Sequence, residues 1–425
     1  MKRDMPLSQM HLLLVAPSAP PKNSPEAMQV GRFLSALDPA VRVTLVTTPI
    51  VRGWQWEDST LAVERPGLKV ITPSLPVHRL TQRVLGNHRL ASLHVPDADF
   101  WLPWFADQVV SRITDMPDVI YSRSAPFSAA LLAQRLKRSL RRPWLMHLSD
   151  PWSGSPYRVL SARQAAVDRA LEAGCVADAD FVALTTEGQA AFYRDRYADR
   201  TKDIIVTPNM MPVFARNSAL PPLSPKQKSK TLRIVYTGAM YGAREPSTLL
   251  DALRLVHANK SDEAKQINVD FYGNMAPGIA AAIDATPSCT RHGTVSFRDA
   301  SHAQQNADVL LTIEPAGSHP LLLHFMPSKN LDYMSFRKPI LAITPHGSET
   351  SRLCSVGQGW AVTPGDAVGL AQILAELARK HAEDLPPFVA PDPKLSPYRA
   401  DAVTASVTQT LRSLSQTQAT TENSL

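Results

Sequence analysis

Apolar residues in this chain occur mainly as short continuous runs, and the segments between the runs have helical periodicity. In the first half, the pattern predicts strands at 11–16, 41–47, 119–121, 144–148, 181–184 and 204–206, and helices at 25–37, 128–140, 165–177 and 188–197. In the second half, it predicts strands at 232–236, 269–272, 309–313 and 340–343, and helices at 247–258, 330–336 and 367–381. Short apolar strands alternating with amphipathic helices are typical of parallel sheets covered on both faces.

A break in this alternation divides the chain into two Rossmann-like α/β domains. Residues 213–227 are rich in Pro, Ser and Lys, which indicates a linker. The predicted domains are 1–212 and 228–390, followed by a segment 391–414 whose helix 400–414 returns to the first domain, and a flexible tail 415–425. Ligands of such folds bind beyond the carboxyl ends of the strands. We therefore expect function in a cleft between the two sets of strand ends.

Composition excludes several classes of protein. Hydrophobic residues make up 44% and charged residues 20% of 425 residues, which is unlike a disordered chain. The net charge of +7 is too small and too dispersed to predict nucleic-acid binding. The three cysteines lie far apart, which argues against a zinc or disulfide framework and favours the cytoplasm. No apolar run approaches the roughly 18 residues of a membrane span.

Common catalytic motifs are absent, including Gly-x-Gly-x-x-Gly, the P-loop, Gly-x-Ser-x-Gly and His-Glu-x-x-His. The candidate chemistry lies in loops that follow strands. One such loop, 237–246, contains Gly238, Gly242 and Arg244 ahead of a predicted helix. Glycines let backbone amides approach a ligand, and a helix N-terminus favours an anion. A guanidinium can donate two parallel hydrogen bonds to a diphosphate. An ordinary strand-to-helix turn is an equally good interpretation of this loop.

A second loop carries Pro327, Ser328, Lys329 and Asp332 at the start of another predicted helix. Ser328 is the predicted N-cap, which places Lys329 in the first helical turn, where the helix dipole opposes a cation. A ligand anion would explain the lysine, and Asp332 would then accept hydrogen bonds from sugar hydroxyls. The alternative is a solvated helix start.

A third loop, 146–152, contains His147, Asp150 and Trp152 at the end of a predicted strand. Carboxylates bind sugar hydroxyls and indole rings stack on sugar C–H faces, so the loop suits a carbohydrate. Asp-Pro is also a common turn sequence, and tryptophan often simply packs in a core.

In the first predicted helix, Ser24 is the expected N-cap and Pro25 the first residue.

Five segments in order resemble retaining glycosyltransferases of the GT-B fold, of the glycosyltransferase family four type found in bacterial polysaccharide and lipopolysaccharide synthesis. MPSKNLDYMSFRKPILAI is similar to the family's Pro-Ser-Lys segment, and VTPNMMP to its Ile-Pro-Asn strand end. LEAGCVADADFVALTTEG, MHLSDPW and YTGAMYGAREPSTLLDAL resemble three further family segments. The likeness covers roughly residues 10–385.

This resemblance implies a nucleotide-diphosphate sugar donor, UDP- or GDP-linked, in the second domain and a saccharide or lipid-linked acceptor in the first. The implied reaction transfers a hexose with retention, without a metal or cofactor, in cell-surface glycan synthesis. The implied catalytic residues are Asp150, His147, Arg244 and Lys329; the donor site adds Gly238, Gly242, Pro327, Ser328 and Asp332, and the acceptor side Ser24, Glu26 and Trp152. A sugar-nucleotide epimerase of the same fold is one alternative.

A non-catalytic saccharide-binding or scaffold protein is the other alternative, because some family positions differ. Asn23-Ser24-Pro25-Glu26 stands where the family has a glycine pair, Ala239 where many members have Arg, and Asp332 where they have Glu.

A peripheral contact with an anionic membrane, at its cytoplasmic face, is also predicted. It rests on residues 78–90, with Arg79, Arg83 and Arg89, and on the basic end of the helix 128–140.

Overall fold

The computed structural model describes residues 10–50, 57–73, 94–212, 231–258, 266–317, 319–336, 338–355, 359–383 and 397–422, with side chains to residue 418. The chain divides into two compact units. The first unit comprises Met1–Val213 and Pro397–Leu425, and the second comprises Phe214–Ser396. The predicted linker 213–227 and the basic segment 78–90 lie outside the described residues.

The first unit contains a seven-stranded parallel sheet. Its strands are β1 (His11–Val15), β2 (Arg42–Val46), β3 (Lys69–Ile71), β4 (Val119–Ser124), β5 (Trp144–Leu148), β6 (Phe181–Leu184) and β7 (Ile204–Val206), in the order β3-β2-β1-β4-β5-β6-β7. Leu12 and Leu14 face one core cluster, and Leu13 and Val15 face the other. Both faces of β1 are therefore buried, which explains its continuous apolar run.

The helices of the first unit cover the two faces of this sheet. They are α1 (Pro25–Ala36), α2 (Ala106–Arg112), α3 (Ser128–Leu140), α4 (Ala162–Asp178) and α5 (Glu187–Arg196). The first unit also contains the last helix of the described residues, α12 (Ala400–Glu422), which is numbered after the helices α6 to α11 of the second unit. Ser24 caps α1 by accepting a hydrogen bond from Ala27 N at 3.2 Å, and Pro25 is its first residue, as predicted. This cap fixes the direction in which the chain enters α1 from β1.

The last helix packs on the first unit. Val403, Val407, Leu411 and Leu414 are buried in the same cluster as Phe33 of α1. The helix continues to Glu422, so the prediction of a flexible tail at 415–425 is wrong for residues 415–422. Ser415 is 6% exposed and Gln418 donates to Arg141 O at 3.2 Å, so protein contacts support the additional turns.

The second unit contains a six-stranded parallel sheet. Its strands are β8 (Leu232–Thr237), β9 (Ile267–Tyr272), β10 (Cys289–Gly293), β11 (Val309–Ile313), β12 (Ile340–Ile343) and β13 (Gly359–Val362), in the order β10-β9-β8-β11-β12-β13. Its helices are α6 (Ser247–Ala258), α7 (Pro277–Asp284), α8 (Phe297–Gln305), α9 (Ser328–Ser335), α10 (Glu349–Leu353) and α11 (Ala367–Ala382). Two doubly wound parallel-sheet units confirm the predicted fold class.

The strand order reverses between β1 and β4 in the first sheet, and between β8 and β11 in the second. In such sheets, the crevice outside the carboxyl ends of the two diverging strands is the usual ligand site. The loops that follow β8 and β11 therefore form the expected ligand site of the second unit. Among the described residues, no helix is long and apolar enough to cross a bilayer.

Candidate functional site

The loop after β8 begins with a glycine that the local geometry requires. Gly238 has a φ of +123°, and its amide donates to Tyr272 O at 2.8 Å. A Cβ built on Gly273 would lie 2.2 Å from Gly238 O, so the loops after β8 and β9 cross backbone to backbone. A Cβ on Gly238 would lie 3.0 Å from Lys329 Nζ. The predicted site residues Gly238 and Lys329 are thus in direct proximity.

Lys329 lies in the first turn of α9, and its ammonium nitrogen is buried. Its Nζ lies 3.9 Å from the centroid of the Tyr236 ring, and it has no hydrogen-bond partner among the described residues. Burial and the charge of Arg244 lower the pKa of Lys329 well below that of a free lysine. An unpartnered buried ammonium group is costly for the protein, and a ligand anion would provide the missing partner.

Arg244 supplies a second cation to the same place. It is half-buried, and its Nε is buried with no hydrogen-bond partner in the described part of the chain. The turn before it uses Gly242, which has a φ of +61°. After burial, the charge of Arg244 is the second cause that lowers the pKa of Lys329. Two cations close to one another are the electrostatic arrangement expected of a diphosphate site.

Pro327 and Ser328 form the start of α9, but not as predicted. The helix begins at Ser328, and Pro327 takes the N-cap position without a side-chain cap. The prediction of Ser328 as the N-cap is therefore wrong. Pro327 has no amide hydrogen to leave unpaired, and its φ of −56° suits the entry into a helix. Asp332, further along α9, is 7% exposed.

A tyrosine fixes α9 against the end of the sheet. Tyr333 OH accepts from the amide of Thr237 at 3.1 Å and donates to Leu311 O at 3.1 Å. Gln304 donates to the Thr237 hydroxyl at 2.7 Å. These contacts join α9 to the carboxyl ends of both β8 and β11, so Lys329 is carried by a fixed element.

Sequence reasoning missed Glu314, which directly follows β11. Its carboxylate is 7% exposed and accepts hydrogen bonds from the hydroxyls of Thr344 and Thr350. Burial raises the pKa of Glu314, and the two threonine hydrogen bonds, followed by the charges of Arg244 and Lys329, oppose this shift. No motif indicated this residue; its only signal is that an acidic residue ends an otherwise apolar strand at the switch point of the sheet.

A cavity of about 290 Å³ opens at these strand ends within the second unit. Its lining includes Ala243, Glu245, Ser247, Glu314 and Gly365. Ala243 directly precedes Arg244 in the chain, whereas Arg244 and Lys329 are not among the residues that line the cavity. The second unit therefore combines two cationic side chains with buried nitrogens, a helix start and a cavity at one end of its sheet.

The predicted residues of the first unit form a different kind of cluster. Glu26, in the first turn of α1, accepts from Arg123 Nε at 2.6 Å and from the Ser149 hydroxyl. The side chain of Arg123 is 1% exposed and that of Glu26 is 9% exposed. Burial raises the pKa of Glu26, and the Arg123 guanidinium opposes this shift. The pair joins α1 to β4 and, through Ser149, to the end of β5.

His147 is buried inside this cluster and does not reach the surface. Its Nδ1 lies 2.7 Å from Tyr121 OH and 2.9 Å from Arg123 Nη1. A guanidinium only donates, so Nδ1 accepts and the imidazole is neutral. Burial and the Arg123 charge lower the pKa of His147 well below its usual range. His147 Nδ1 thus contacts Tyr121 and Arg123 inside the first unit, whereas the sequence predicted a contact with an acceptor.

Trp152 is also buried, which corrects its predicted role in stacking on a sugar. It is 0% exposed, its ring stacks on Phe127 at 5.4 Å, and its Nε1 donates to Asp168 at 2.9 Å. Arg158 pairs with the same carboxylate. Asp168 on α4 therefore anchors the loop after β5, while Asp150 in that loop is exposed. Ser24 is half-buried at the start of α1.

The basic residues of α3 have carboxylate or carbonyl partners. Lys137 pairs with Asp180 and Arg138 with Asp178, while Arg135 donates to Pro103 O at 3.1 Å. These contacts lie within the first unit, but the Arg138 side chain is still 66% exposed, so the membrane contact stays a prediction.

Comparisons with known proteins agree with these observations. Residues 27–209 match the family model of the glycosyl transferase 4-like domain. No curated protein sequence matches the chain. The match covers most of the first unit and none of the second, so it shows a likeness to the glycosyl transferase 4-like domain in the first unit.

Three solved structures illustrate the likeness in fold. Anabaena HepE, in complex with UDP and glucose, is 14% identical with a TM-score of 0.57, over 95% of this chain and 100% of that one. The N-terminal domain of Candida albicans trehalose-6-phosphate phosphatase is 14% identical with a TM-score of 0.63, over 97% and 98%. The lipopolysaccharide outer core galactosyltransferase WaaB is 12% identical with a TM-score of 0.50, over 96% and 98%.

Proposed function

We propose that the protein transfers a hexose-type sugar from a nucleotide-diphosphate sugar to a saccharide or lipid-linked acceptor, with retention of anomeric configuration, in cell-surface glycan synthesis. The observation that carries the proposal is the pair of Arg244 and Lys329, with buried nitrogens that lack partners among the described residues. A donor diphosphate supplies the missing hydrogen-bond acceptors. The binding of UDP and glucose by HepE supports a UDP-linked donor, and GDP remains the second choice.

The proposed chemistry places each charge where the reaction needs it. When the bond between the sugar and the diphosphate breaks, positive charge develops on the sugar and negative charge on the departing diphosphate. Arg244, Lys329 and the N-terminus of α9 stabilise the leaving group, and we propose that they do so without a metal ion. Asp332 is proposed to bind ribose hydroxyls, and Asp150 to contact the acceptor or the transferred sugar.

Turnover of single variants tests this assignment. Arg244→Ala and Lys329→Ala should each reduce sugar transfer by an order of magnitude or more, because each removes a charge that stabilises the transition state. Arg254→Ala is the matched control, since Arg254 lies on α6 and pairs with Asp251 in an exposed salt bridge. Full activity in both site variants would refute the assignment. If the reaction products are free sugar or an altered sugar nucleotide, the protein is an epimerase and not a transferase.

Peripheral membrane contact remains a separate proposal, and it rests on Arg79, Arg83 and Arg89. Binding to anionic vesicles that is lost at high salt, and after replacement of the three residues by Glu, would support it. A protein that stays in the supernatant under all conditions would instead indicate an acceptor free of the membrane.

A further inference from the structure

The amine of Lys329 lies on the face of an aromatic ring. Its nitrogen is 3.9 Å from the centroid of the Tyr236 ring, and no polar atom of the described residues forms a hydrogen bond with it. The face of an aromatic ring carries the negative part of the ring quadrupole. It therefore attracts an ammonium group, and it also accepts an N–H from a neutral amine. The ring thus stands where a polar partner of the lysine would otherwise lie.

The Tyr236 ring is fixed by the sheet and by the loop that follows β8. Tyr236 is 0% exposed, and its hydroxyl donates to Ala239 O at 3.1 Å. In the sheet, Tyr236 pairs with Phe271 of β9, and the centroids of the two rings are 6.0 Å apart. On its other side, Tyr236 pairs with Leu311 of β11. The ring face that meets the lysine therefore has one orientation.

Gly238 leaves the space in which the amine meets the ring. A Cβ on Gly238 would lie 3.0 Å from Lys329 Nζ and 3.9 Å from the Tyr236 hydroxyl oxygen. The helix that carries Lys329 is itself fixed, because Tyr333 OH bonds both the amide of Thr237 and Leu311 O. Ring and amine thus belong to two elements that are joined at the carboxyl ends of β8 and β11.

We propose that Tyr236 is a positioning residue for sugar transfer, whose ring holds the Lys329 amine at the end of β8, ready to meet the donor diphosphate. This inference rests on the proposed function of the second unit. A lysine side chain is a flexible four-carbon stem, so an amine without any partner could take several directions. The ring selects one direction. Because the ring covers one side of the amine only, other N–H groups remain for the diphosphate oxygens.

Binding of inorganic pyrophosphate to the full chain, measured by calorimetry, tests the inference in variants that keep a ring at position 236. Tyr236→Phe and its mono-, di- and trifluorinated analogues form a series in which fluorine withdraws negative charge from the ring face and changes the shape little. Affinity should fall stepwise along this series, by about threefold or more from phenylalanine to the trifluorinated analogue. The matched control is the same series at Phe33, a buried ring of the first unit that contacts Tyr121 and no cation among the described residues. It should leave the affinity unchanged.

A second background assigns the effect to the lysine. In Lys329→Met, which keeps an apolar side chain but has no amine, fluorination at position 236 should no longer change the affinity. A purely structural role of Tyr236 would give the same response in both backgrounds. Equal affinity along the series with Lys329 present, or an equal stepwise loss in Lys329→Met or at Phe33, would overturn the inference alone. A wild-type protein that binds neither pyrophosphate nor UDP would overturn the proposed function as well.

Discussion

Replacing Glu26 by alanine should destabilise the first unit strongly. Arg123 Nε lies 2.6 Å from the Glu26 carboxylate, and the guanidinium is almost completely buried. Loss of one partner of a buried ion pair leaves the other charge uncompensated, which costs about 3–5 kcal/mol. His147 cannot replace the carboxylate, because the neutral ring offers only one acceptor nitrogen. The unfolding free energy of the first unit should therefore decrease by about this amount.

Urea unfolding followed by tryptophan fluorescence measures this change, since Trp144 is buried on β5 and donates to Ser122 at 2.8 Å. The control is Glu187→Gln, whose side chain is 70% exposed and pairs with Arg194; it should cost at most about 1 kcal/mol. The double variant Glu26→Leu/Arg123→Met should regain most of the loss, because both charges are gone. The reasoning fails if Glu26→Ala costs no more than the control, or if the double variant is as unstable as the single one.

Two further variants test neighbouring features. Gly238→Ala should weaken pyrophosphate binding at least threefold in calorimetry, because the new Cβ would lie 3.0 Å from Lys329 Nζ and the residue has a φ of +123°. The control is Gly278→Ala, where a Cβ has no atom within 4 Å, and this variant should bind pyrophosphate normally. Equal binding by both variants would contradict this reasoning. Since the pKa of buried His147 is lowered, the unfolded chain binds the extra proton below about pH 6.5. The stability of the first unit should therefore fall on acidification, by up to about 1.4 kcal/mol per pH unit for this group. In His147→Gln this decrease should be smaller in urea unfolding at several pH values, and an unchanged slope would show that His147 does not contribute.

The central strands of both sheets were predictable from the sequence. For example, the predicted 144–148 and 340–343 coincide with β5 and β12, because strands buried on both faces leave continuous apolar runs. The missed strands β3, β10 and β13 are all at sheet edges. Cys289–Gly293, the sequence CTRHG of β10, has one face open and carries no apolar run. Its pairing with β9 is a tertiary effect that local pattern does not encode.

The candidate site was predictable only in part. Gly238 and Arg244 lie between β8 and α6, and Lys329 lies in the first turn of α9, so a common location at the strand ends was expected from the fold. Glu314 was missed because its partners, Thr344 and Thr350, come from later in the chain. His147 and Trp152 were assigned to a binding surface, yet both are buried. Burial at the end of a strand depends on what packs over it, here Arg123 for the histidine and Phe127 for the tryptophan.

The most direct test of the central claim is a calorimetric titration of the full chain with UDP, GDP, ADP and dTDP. The account predicts that at least one nucleotide binds the wild type, and that the Arg244→Ala/Lys329→Ala double variant loses at least ten-fold in affinity for it. Arg254→Ala should bind like the wild type. Binding of none of the four nucleotides, or equal binding by the double variant, would contradict the assignment of a nucleotide-diphosphate site to the strand ends of the second unit.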